Sequence, residues 1–238
     1  MSVHGSLRRP VRRELLGNGG VSCTPILAGQ SPTLWAVYDG LFSPGLVSAA
    51  ASEFPCPEWT GWFRYDSPGE KKLAANTGIP ESCARLLEEM NRLCPDDLLI
   101  DEDLYAGGLH AIPPGGWLDL HLDAELHRNT GMRRHTNLIL FLDDWNPRDG
   151  GQLEFWDRDV SRCDLLISPS CGRAVAFDCR NVVHGIPNPT SPFGPWRRSL
   201  AVFWYEKPEI RERAQFVAAQ GEDDDPEKDF WRRSRKSY

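Results

Sequence analysis

The sequence predicts a mainly β domain, a sandwich or barrel, with helices buttressing one face. Three observations support this fold class. Between residues 106 and 205 come short apolar runs broken by Gly, Pro, Asn and Asp, a pattern typical of many short strands. Segments with helical spacing precede these runs, so helices should cover one face of the strands. The 238 residues are 40% hydrophobic and include nine tryptophans, which is enough for a packed core.

The N-terminal part of the sequence predicts an arm and one strand ahead of the helices. Residues 1–33 are rich in Gly, Ser, Pro and Arg and show little periodicity, which is typical of a flexible arm. The short apolar segment "LWAVYDG" (34–40) predicts a strand. We therefore expect one catalytic domain over 34–207, with a helical buttress at 34–104 and a β core at 105–206.

Two segments carry helix signals. Ser43 can cap a helix whose first position is Pro44, and this helix should end near Phe54. The segment "PESCARLLEEMNRL" (80–93) starts with proline and has apolar residues at helical spacing. Those apolar residues are Leu86, Leu87, Met90 and Leu93. A further helical segment is expected within residues 95–104.

The β core is predicted from the apolar runs after residue 105. In chain order these runs are "AGGLHAI" (106–112), "WLDLHLD" (117–123), "HTNLILFL" (135–142), "QLEFWD" (152–157), "DLLIS" (164–168), "RAVAFD" (173–178) and "RSLAVFWY" (198–205). Residues 208–238 are strongly charged, acidic and then basic. This last segment predicts a charged helix or a solvated tail.

Charge and composition argue against several classes of protein. The net charge of −7 and the pI near 5.4 disfavour a broad nucleic-acid surface, although Arg133-Arg134 and Arg197-Arg198 could line a local basic groove. No apolar stretch approaches a membrane span, and the basic N-terminus lacks the apolar run of a secretory signal. The seven dispersed cysteines form no CxxC pair, so we expect reduced thiols in a cytoplasmic protein. The oligomeric state is left open.

A metal site is predicted from "HLDAELHRNTGMRRH" (121–135), which holds three of the six histidines. Alternate residues of a strand share one face, so His121 and Asp123 point the same way, with Cα atoms roughly 6.6 Å apart. An imidazole and a carboxylate at that distance can bind one ion. His184, which lies between a predicted strand and a Gly/Pro loop, is the best candidate for a third ligand.

Two histidines and one carboxylate leave coordination positions open, which is typical of non-haem Fe(II) oxygenases. Zinc enzymes also use three protein ligands, so the choice depends on the residues beyond the metal. In "WRRSLAVFWY" (196–205), Arg197 shares one face with the small Ser199 and Ala201, and Arg198 lies on the opposite, bulkier face. An arginine in a dry pocket favours a carboxylate partner. A dicarboxylate between Arg197 and iron would satisfy both. Arg198 is the alternative candidate for the arginine that binds this carboxylate.

Three segments together resemble a known family. They are "GGLHAIPPGGWLDLHLD", "RRHTNLILFLDDWNPRDGGQLEFWD" and "NVVHGIPNP…RRSLAVFWY", and they resemble the 2-oxoglutarate/Fe(II) dioxygenases of the prolyl 4-hydroxylase-like group. The resemblance spans about residues 105–206 and has the motifs in the expected order. It implies a double-stranded β-helix (a jelly-roll or cupin-like core) with Fe(II), 2-oxoglutarate, O2 and, as a further cofactor, ascorbate.

The resemblance assigns roles to individual residues. The implied iron ligands are His121, Asp123 and His184. Arg197 would bind the distal carboxylate of 2-oxoglutarate with Ser199 beside it. Asn137 shares a predicted strand face with His135, Ile139 and Phe141, and is a further candidate contact for the cosubstrate. His110 stands where prolyl hydroxylases often place a tyrosine that contacts the cosubstrate. Glu125 and His127 are expected on a loop, either at the substrate entrance or solvated.

The implied reaction couples oxidative decarboxylation of 2-oxoglutarate to hydroxylation of a substrate C–H. One candidate substrate is a prolyl residue in a peptide or protein. The alternatives are a hydroxylase of a free amino acid or another small metabolite, a non-catalytic cupin-like module that binds a metal or ligand, and a zinc hydrolase. The last of these would leave Arg197 without a role. No nucleic-acid or membrane partner is expected.

Overall fold

The structure, a computed structural model, describes residues 27–28 and 34–206. Its two helices are α1 (Pro44–Glu53) and α2 (Glu81–Asn91). Its strands are β1 (Leu27–Ala28), β2 (Trp35–Tyr38), β3 (Phe63–Ser67), β4 (Glu70–Ala75), β5 (Leu99–Ile100), β6 (Gly108–Ile112), β7 (Trp117–His121), β8 (Arg133–Phe141), β9 (Leu153–Trp156), β10 (Cys163–Ile167), β11 (Ala174–Asp178), β12 (Val183–Ile186) and β13 (Arg197–Glu206). Apart from β1, the predicted N-terminal arm lies outside the described residues, as does the predicted C-terminal helix or tail at 208–238.

The strands form one antiparallel sheet that curls on itself. Its order is β1-β2-β11-β8-β13-β6-β4-β7-β12-β9-β10, with β3 paired to β4 and β5 paired to β13. Across the interior, the ring of Phe177 on β11 lies 5.1 Å from Phe155 on β9 and 4.5 Å from His184 on β12. The predicted fold class is therefore confirmed: a double-stranded β-helix with helices on one outer face.

The helices pack on the bulky apolar face of β13, as the alternation of residues along this strand predicts. Leu200, Val202 and Trp204 are fully buried and belong to one core cluster with Leu86 and Met90 of α2. Burying a large apolar side chain of this kind contributes roughly 1.5–3 kcal/mol. The opposite face of β13 points into the curled sheet, where it forms a second cluster with the interior of β9 and β11. The pocket face of β13 is thus the face that begins with Arg197.

The two main helix predictions are confirmed, with small differences at the ends. Pro44 is the first residue of α1, and Ser43 occupies the N-cap position although its side chain makes no capping hydrogen bond. α1 ends at Glu53, one residue before Phe54. The helix predicted over 80–93 is shorter, because Pro80 is its N-cap and Asn91 its last residue.

The further helix predicted within 95–104 is wrong. Leu99–Ile100 is strand β5, which pairs with β13. The carboxylate of Asp101 accepts hydrogen bonds from the backbone N–H groups of Asp103 and Tyr105 at 3.1 and 2.6 Å, and Leu104 has a φ of 50°. This local side-chain bonding competes with helix formation, so the segment forms a turn instead.

The β3–β4 hairpin was not predicted. Its sequence, "FRYDSPGEKKLAA", has a Pro-Gly turn signal, but charged residues interrupt its apolar pattern. β4 bridges two strands of the core, because residues 73–75 pair with β6 and residues 70–71 pair with β7. The hairpin therefore contributes to the pocket wall.

The sequence argues against membrane spans and disulfides and leaves a local basic groove open. No helix of the described residues is long and apolar enough to cross a bilayer. The six cysteines in the described part of the chain are free thiols. The four arginines that could have lined a basic groove are dispersed: Arg134 and Arg197 are buried, Arg133 pairs with Glu125, and Arg198 pairs with Asp143.

Candidate active site

Three predicted metal ligands lie together inside the curled sheet. His184 on β12 is directly opposite His121 on β7, and Asp123 follows two residues after the end of β7. One ligand atom from each residue lies within 4.8 Å of the others. The Nε2 atoms of His121 and His184 are 3.8 and 3.7 Å from the two carboxylate oxygens of Asp123. This donor set fits one divalent transition-metal ion with open coordination positions.

Hydrogen bonds orient both imidazoles so that their Nε2 atoms face the position where the three ligand atoms converge. His121 Nδ1 donates to the carbonyl of Asp119 at 2.7 Å, and His184 Nδ1 donates to the carbonyl of Val182 at 3.0 Å. Each Nε2 therefore keeps its lone pair for a ligand, the arrangement usual for metal-binding histidines. The Asn137 side chain donates to Asp123 Oδ2 at 3.3 Å and so holds the carboxylate.

The protonation states also suit metal binding. Burial, followed by the charge of His184, lowers the pKa of His121 to about 3. Burial alone would raise the pKa of Asp123, but His184 and His121 outweigh it, and the pKa of this carboxyl is lowered. A neutral imidazole and an ionised carboxylate are the forms that bind a metal.

Arg197 is a buried cation on the same inner face. Its side chain is 4% exposed, its guanidinium carbon lies 4.8 Å from the centre of the Phe141 ring, and its Nε has no hydrogen-bond partner among the described residues. Burial lowers its pKa to about 9, so the group remains charged at neutral pH. A buried, unpaired guanidinium is costly, which indicates a site for an anion.

Gly151 makes room for this arginine. Its φ is 69°, and a Cβ there would lie 3.5 Å from Arg197 Cδ and 2.7 Å from a methyl carbon of Thr190. A larger residue would therefore strain the backbone and clash with the wall beside the guanidinium.

Arg198 lies on the opposite face, as the alternation of β13 predicted. Its Nε donates to both carboxylate oxygens of Asp143 at 3.1 Å, and its Nη1 donates to the carbonyl of Ala51 in α1 at 2.7 Å. This arginine therefore ties the sheet to the helices, and its charge is already paired.

The remaining predicted cosubstrate residues also lie on the inner face. Ser199 is buried and stands between His110 on β6 and Phe141 on β8. His110 Nε2 is 3.1 Å from the carbonyl of Ala106. Asn137 is buried, and its Oδ1 has no partner among the described residues. Their roles toward a cosubstrate stay predictions.

Two bulges change the alternation that the sequence predicted. One separates the pairs His184–His121 and Ile186–Leu118, so Leu118 shares the inner face with Ile186 instead of pointing outward. The other lies where Trp204 pairs with Thr136 but Tyr205 pairs with Arg134. The residue skipped on β8 is His135, and Arg134 takes the position opposite Tyr205.

The second bulge brings an unpredicted residue, Arg134, inside the domain. Arg134 is 3% exposed, its Nε donates to the Tyr205 hydroxyl at 3.4 Å, and its guanidinium lies 4.3 Å from the Phe203 ring. Its charge helps to lower the pKa of Asp123, after the larger contributions of His184 and His121. No pattern in the sequence signals a bulge, so its position could not be inferred.

His127 lies on a loop as expected, but the expectation that it lies at the substrate entrance or in solvent is wrong. His127 is fully buried, between the rings of Tyr105 and Tyr205 at 4.7 and 5.4 Å. Its Nδ1 accepts two backbone N–H groups of its own loop, and its Nε2 lies 3.2 Å from Asp101 Oδ2. It is a structural residue that anchors the loop after β7, the strand that carries His121. Glu125, in contrast, is exposed and pairs with Arg133 at 2.8 Å.

Replacing His127 with phenylalanine is expected to lower the free energy of unfolding by about 1–3 kcal/mol, because the ring volume stays but two backbone N–H groups lose their acceptor and the Asp101 carboxylate loses the imidazole 3.2 Å away. Urea denaturation measures this. The control Glu125→Gln breaks only an exposed ion pair and should change stability by less than about 1 kcal/mol. Equal effects of the two substitutions would contradict the structural role of His127.

His110 should make stability depend on pH. Burial, and next the charge of Lys72, lowers the pKa of His110 to about 4, whereas an unfolded histidine titrates near 6.5. The unfolded chain therefore binds a proton first, and this contribution to stability is complete above about pH 6.5 and lost as the pH falls toward 4. In melting curves over this range, His110→Gln should lose stability less steeply than the wild type. Parallel curves would contradict this prediction.

Comparison with known proteins supports the fold and the class of the site. Residues 107–206 match the family model of the 2OG-Fe(II) oxygenase superfamily. A prolyl 4-hydroxylase from Pseudomonas putida is similar in structure with a TM-score of 0.56 and 22% sequence identity, over 74% of this chain and 93% of that one. A prolyl hydroxylase from Trichoplax adhaerens, in complex with a hypoxia inducible factor peptide fragment, gives a TM-score of 0.51 and 16% identity over 76% and 86% of the two chains. None of the curated proteins compared with this chain matches it.

The fold is thus that of the prolyl 4-hydroxylases, and the matched segment belongs to the 2-oxoglutarate/Fe(II) oxygenases. The chain is an Fe(II)- and 2-oxoglutarate-dependent dioxygenase that uses O2. The resemblance inferred from the sequence motifs is confirmed.

Proposed function

We propose that this dioxygenase hydroxylates a C–H bond of its substrate, with His121, Asp123 and His184 as the iron ligands and Arg197 as the partner of the distal carboxylate of 2-oxoglutarate. One observation carries the proposal. The three metal-binding side chains converge within 4.8 Å on the same interior that contains a buried arginine with an unpaired Nε. A zinc hydrolase would need the first feature and leave the second without a role.

The roles of the residues follow from their surroundings. Bound Fe(II) and 2-oxoglutarate supply the oxidising chemistry, in which O2-dependent decarboxylation yields succinate and CO2. The carbonyls of Asp119 and Val182 fix the two imidazoles, and Asn137 fixes the carboxylate of Asp123. Arg197 offers a planar fork of donors that matches a carboxylate. Ser199 and His110, on the inner face beside it, are proposed to line the cosubstrate pocket.

For the substrate, a prolyl residue in a peptide or protein is our first candidate. Its support is the similarity to two prolyl hydroxylase structures, one of which contains a bound peptide. A free amino acid or another small metabolite is the second candidate, because the charged residues of the β3–β4 hairpin at the pocket suit a small ionic molecule.

Mass spectrometry of reaction products tests the proposed function. The enzyme is incubated with Fe(II), 2-oxoglutarate, ascorbate and O2 and with a panel of prolyl peptides and free amino acids, while succinate is measured in parallel. We expect succinate in equal amount to a product that is 16 Da heavier than its substrate. A binding module would form neither, and a hydrolase would form product without 2-oxoglutarate.

Zinc is expected to inhibit the enzyme. Affinity of such sites for divalent metals is comparable or higher for Zn(II) than for Fe(II), but zinc has no redox chemistry. Adding Zn(II) in equal amount to Fe(II) should therefore lower succinate formation, and excess Fe(II) should restore it. Sustained turnover with zinc in the absence of iron and 2-oxoglutarate would contradict the assignment.

A further inference from the structure

The β3–β4 hairpin places a second cation on the pocket wall. Ala74 on β4 pairs with His110 on β6, whose side chain is on the inner face. Because alternate residues of a strand share a face, Lys72 and Glu70 point to the same side as Ala74.

The pairing of β4 with β7 confirms this orientation. Glu70 pairs with Leu118, and Leu118 pairs with Ile186 on β12. Directly opposed residues have their side chains on one face. Ile186 is two residues from His184, so Glu70 lies on the wall that carries the metal-binding histidine.

Lys72 is held in place by its neighbours. Its Nζ lies 2.9 Å from Glu70 Oε2 and 5.1 Å from the centre of the ring of Tyr65, the residue opposite it on β3. The side chain of Lys72 is 20% exposed and that of Glu70 only 6%. A lysine fixed in this way has already lost the rotamer entropy that a solvated lysine keeps, and a fifth of its side chain stays exposed.

The charge of Lys72 also reaches the inner face of β6. It contributes, after burial, to the lowered pKa of His110, which agrees with the strand pairing that places Lys72 on the same side as His110.

The proposed cosubstrate does not require this cation. If iron binds one end of 2-oxoglutarate and Arg197 binds the other, both of its carboxylates have partners. Lys72 is also more exposed than Arg197, which is 4% exposed, and so suits a molecule that enters after the cosubstrate.

We infer that Lys72 binds a carboxylate of the substrate, with Glu70 and Tyr65 as the residues that position its ammonium. This inference rests on the proposed function and names the substrate class: a molecule with a carboxylate close to the carbon that is hydroxylated. Such a carboxylate can come from a free amino acid or from the C-terminus of a peptide.

Binding measurements with matched probes test the inference. The protein is loaded with Fe(II) and 2-oxoglutarate without O2 and titrated in a calorimeter. One probe pair is L-proline and L-prolinamide, and the other is acetyl-Gly-Pro with a free or an amidated C-terminus. We expect the free carboxylate to bind about 10-fold tighter or more in at least one pair, since a charge-assisted hydrogen bond is lost in the amide. The pair that shows the preference identifies the source of the carboxylate.

Variants assign the preference to Lys72. Lys72→Met should remove the preference for the carboxylate, and Lys72→Arg should keep part of it. The control Lys71→Met changes the neighbouring lysine, which points to the other face of β4, and should keep it fully. The affinity for 2-oxoglutarate should stay within about threefold in Lys72→Met, because Arg197 is proposed to hold that molecule.

A double variant separates recognition from folding. Lys72→Met alone leaves the buried Glu70 carboxylate unpaired and could destabilise the domain. Glu70→Gln/Lys72→Met removes both charges, so it should melt close to the wild-type temperature and still lack the preference for the carboxylate. A double variant that keeps the preference, or a wild type that binds acid and amide equally in both pairs, would overturn the inference. A large loss of 2-oxoglutarate affinity in Lys72→Met would overturn it as well.

Product analysis keeps this inference separate from the proposed function. Probes that bind with the carboxylate preference but yield no product heavier by 16 Da would support the Lys72 site and contradict hydroxylation of these molecules. A hydroxylated product from a probe without the preference would support the proposed function and contradict the Lys72 site.

Discussion

Replacing His121 or His184 with alanine is expected to abolish 2-oxoglutarate turnover while the domain stays folded. Each imidazole is one of only three proposed protein ligands, and removing a residue that merely supports a ligand already costs about 10–100-fold. We therefore expect a loss of more than about 100-fold in succinate formation at limiting iron. The fold should persist because it rests mainly on the apolar cluster between the sheet and the helices, which neither histidine joins.

The matched control is His135→Ala. His135 is half-buried on β8 and its Nδ1 lies 2.8 Å from the Thr136 hydroxyl, so its loss should leave iron binding intact. Iron content, circular dichroism and succinate formation are measured for all three variants. Wild-type activity in the His121 and His184 variants would refute the metal assignment, and equal loss in His135→Ala would show that any histidine change in this region is harmful.

Replacing Arg197 with alanine is expected to raise the KM for 2-oxoglutarate by about 30-fold or more. Truncating one partner of a desolvated charge pair typically costs about 2–5 kcal/mol, and each decade of affinity corresponds to about 1.4 kcal/mol. Arg197→Lys should restore the affinity only in part, since lysine keeps the charge and loses the planar fork.

Arg198→Ala provides the control for Arg197. It should change the KM by less than about threefold, because Arg198 is bound to Asp143 and to the carbonyl of Ala51 on the helix side. Its loss should lower thermal stability instead, through the broken link between sheet and helices. The reverse result, a large KM defect for Arg198→Ala and none for Arg197→Ala, would contradict the orientation of β13 toward the cosubstrate.

The sequence predicts this architecture best where strands run without interruption. Along β13, the period of two separates Arg197 and Ser199 from Leu200 and Trp204, and burial of the latter pair against the helices follows directly. The same holds for Asn137 and Phe141 on β8. In these segments one side of the strand is strongly apolar. A shift of the pairing by one residue would expose that side, so only one register buries it.

The predictions fail where the backbone departs from this period. A bulge reverses the side of Leu118 relative to His121, and another brings Arg134 into the interior. The helix expected in 95–104 does not form, because the Asp101 carboxylate binds nearby backbone N–H groups and stabilises a turn.

His127 shows a different limit of sequence reasoning. It lies in a polar loop, yet contacts with Tyr105 and Asp101 bury it completely. These partners precede it by 22 and 26 residues along the chain, and nothing in the local pattern indicates them. The same is true of Lys72, whose place on the pocket wall depends on the pairing of β4 with two strands of the core.

The central claim is that one interior site binds iron and 2-oxoglutarate together through His121, Asp123, His184 and Arg197. Calorimetric titration of 2-oxoglutarate without O2 tests it most directly, on the wild type with and without Fe(II) and on Arg197→Ala with Fe(II). We predict one 2-oxoglutarate per chain in the iron-loaded wild type, with affinity lower by about 10-fold or more without iron and by about 30-fold or more without the arginine. Equal affinity in all three titrations would contradict the claim, because neither the metal nor Arg197 would then contact the cosubstrate.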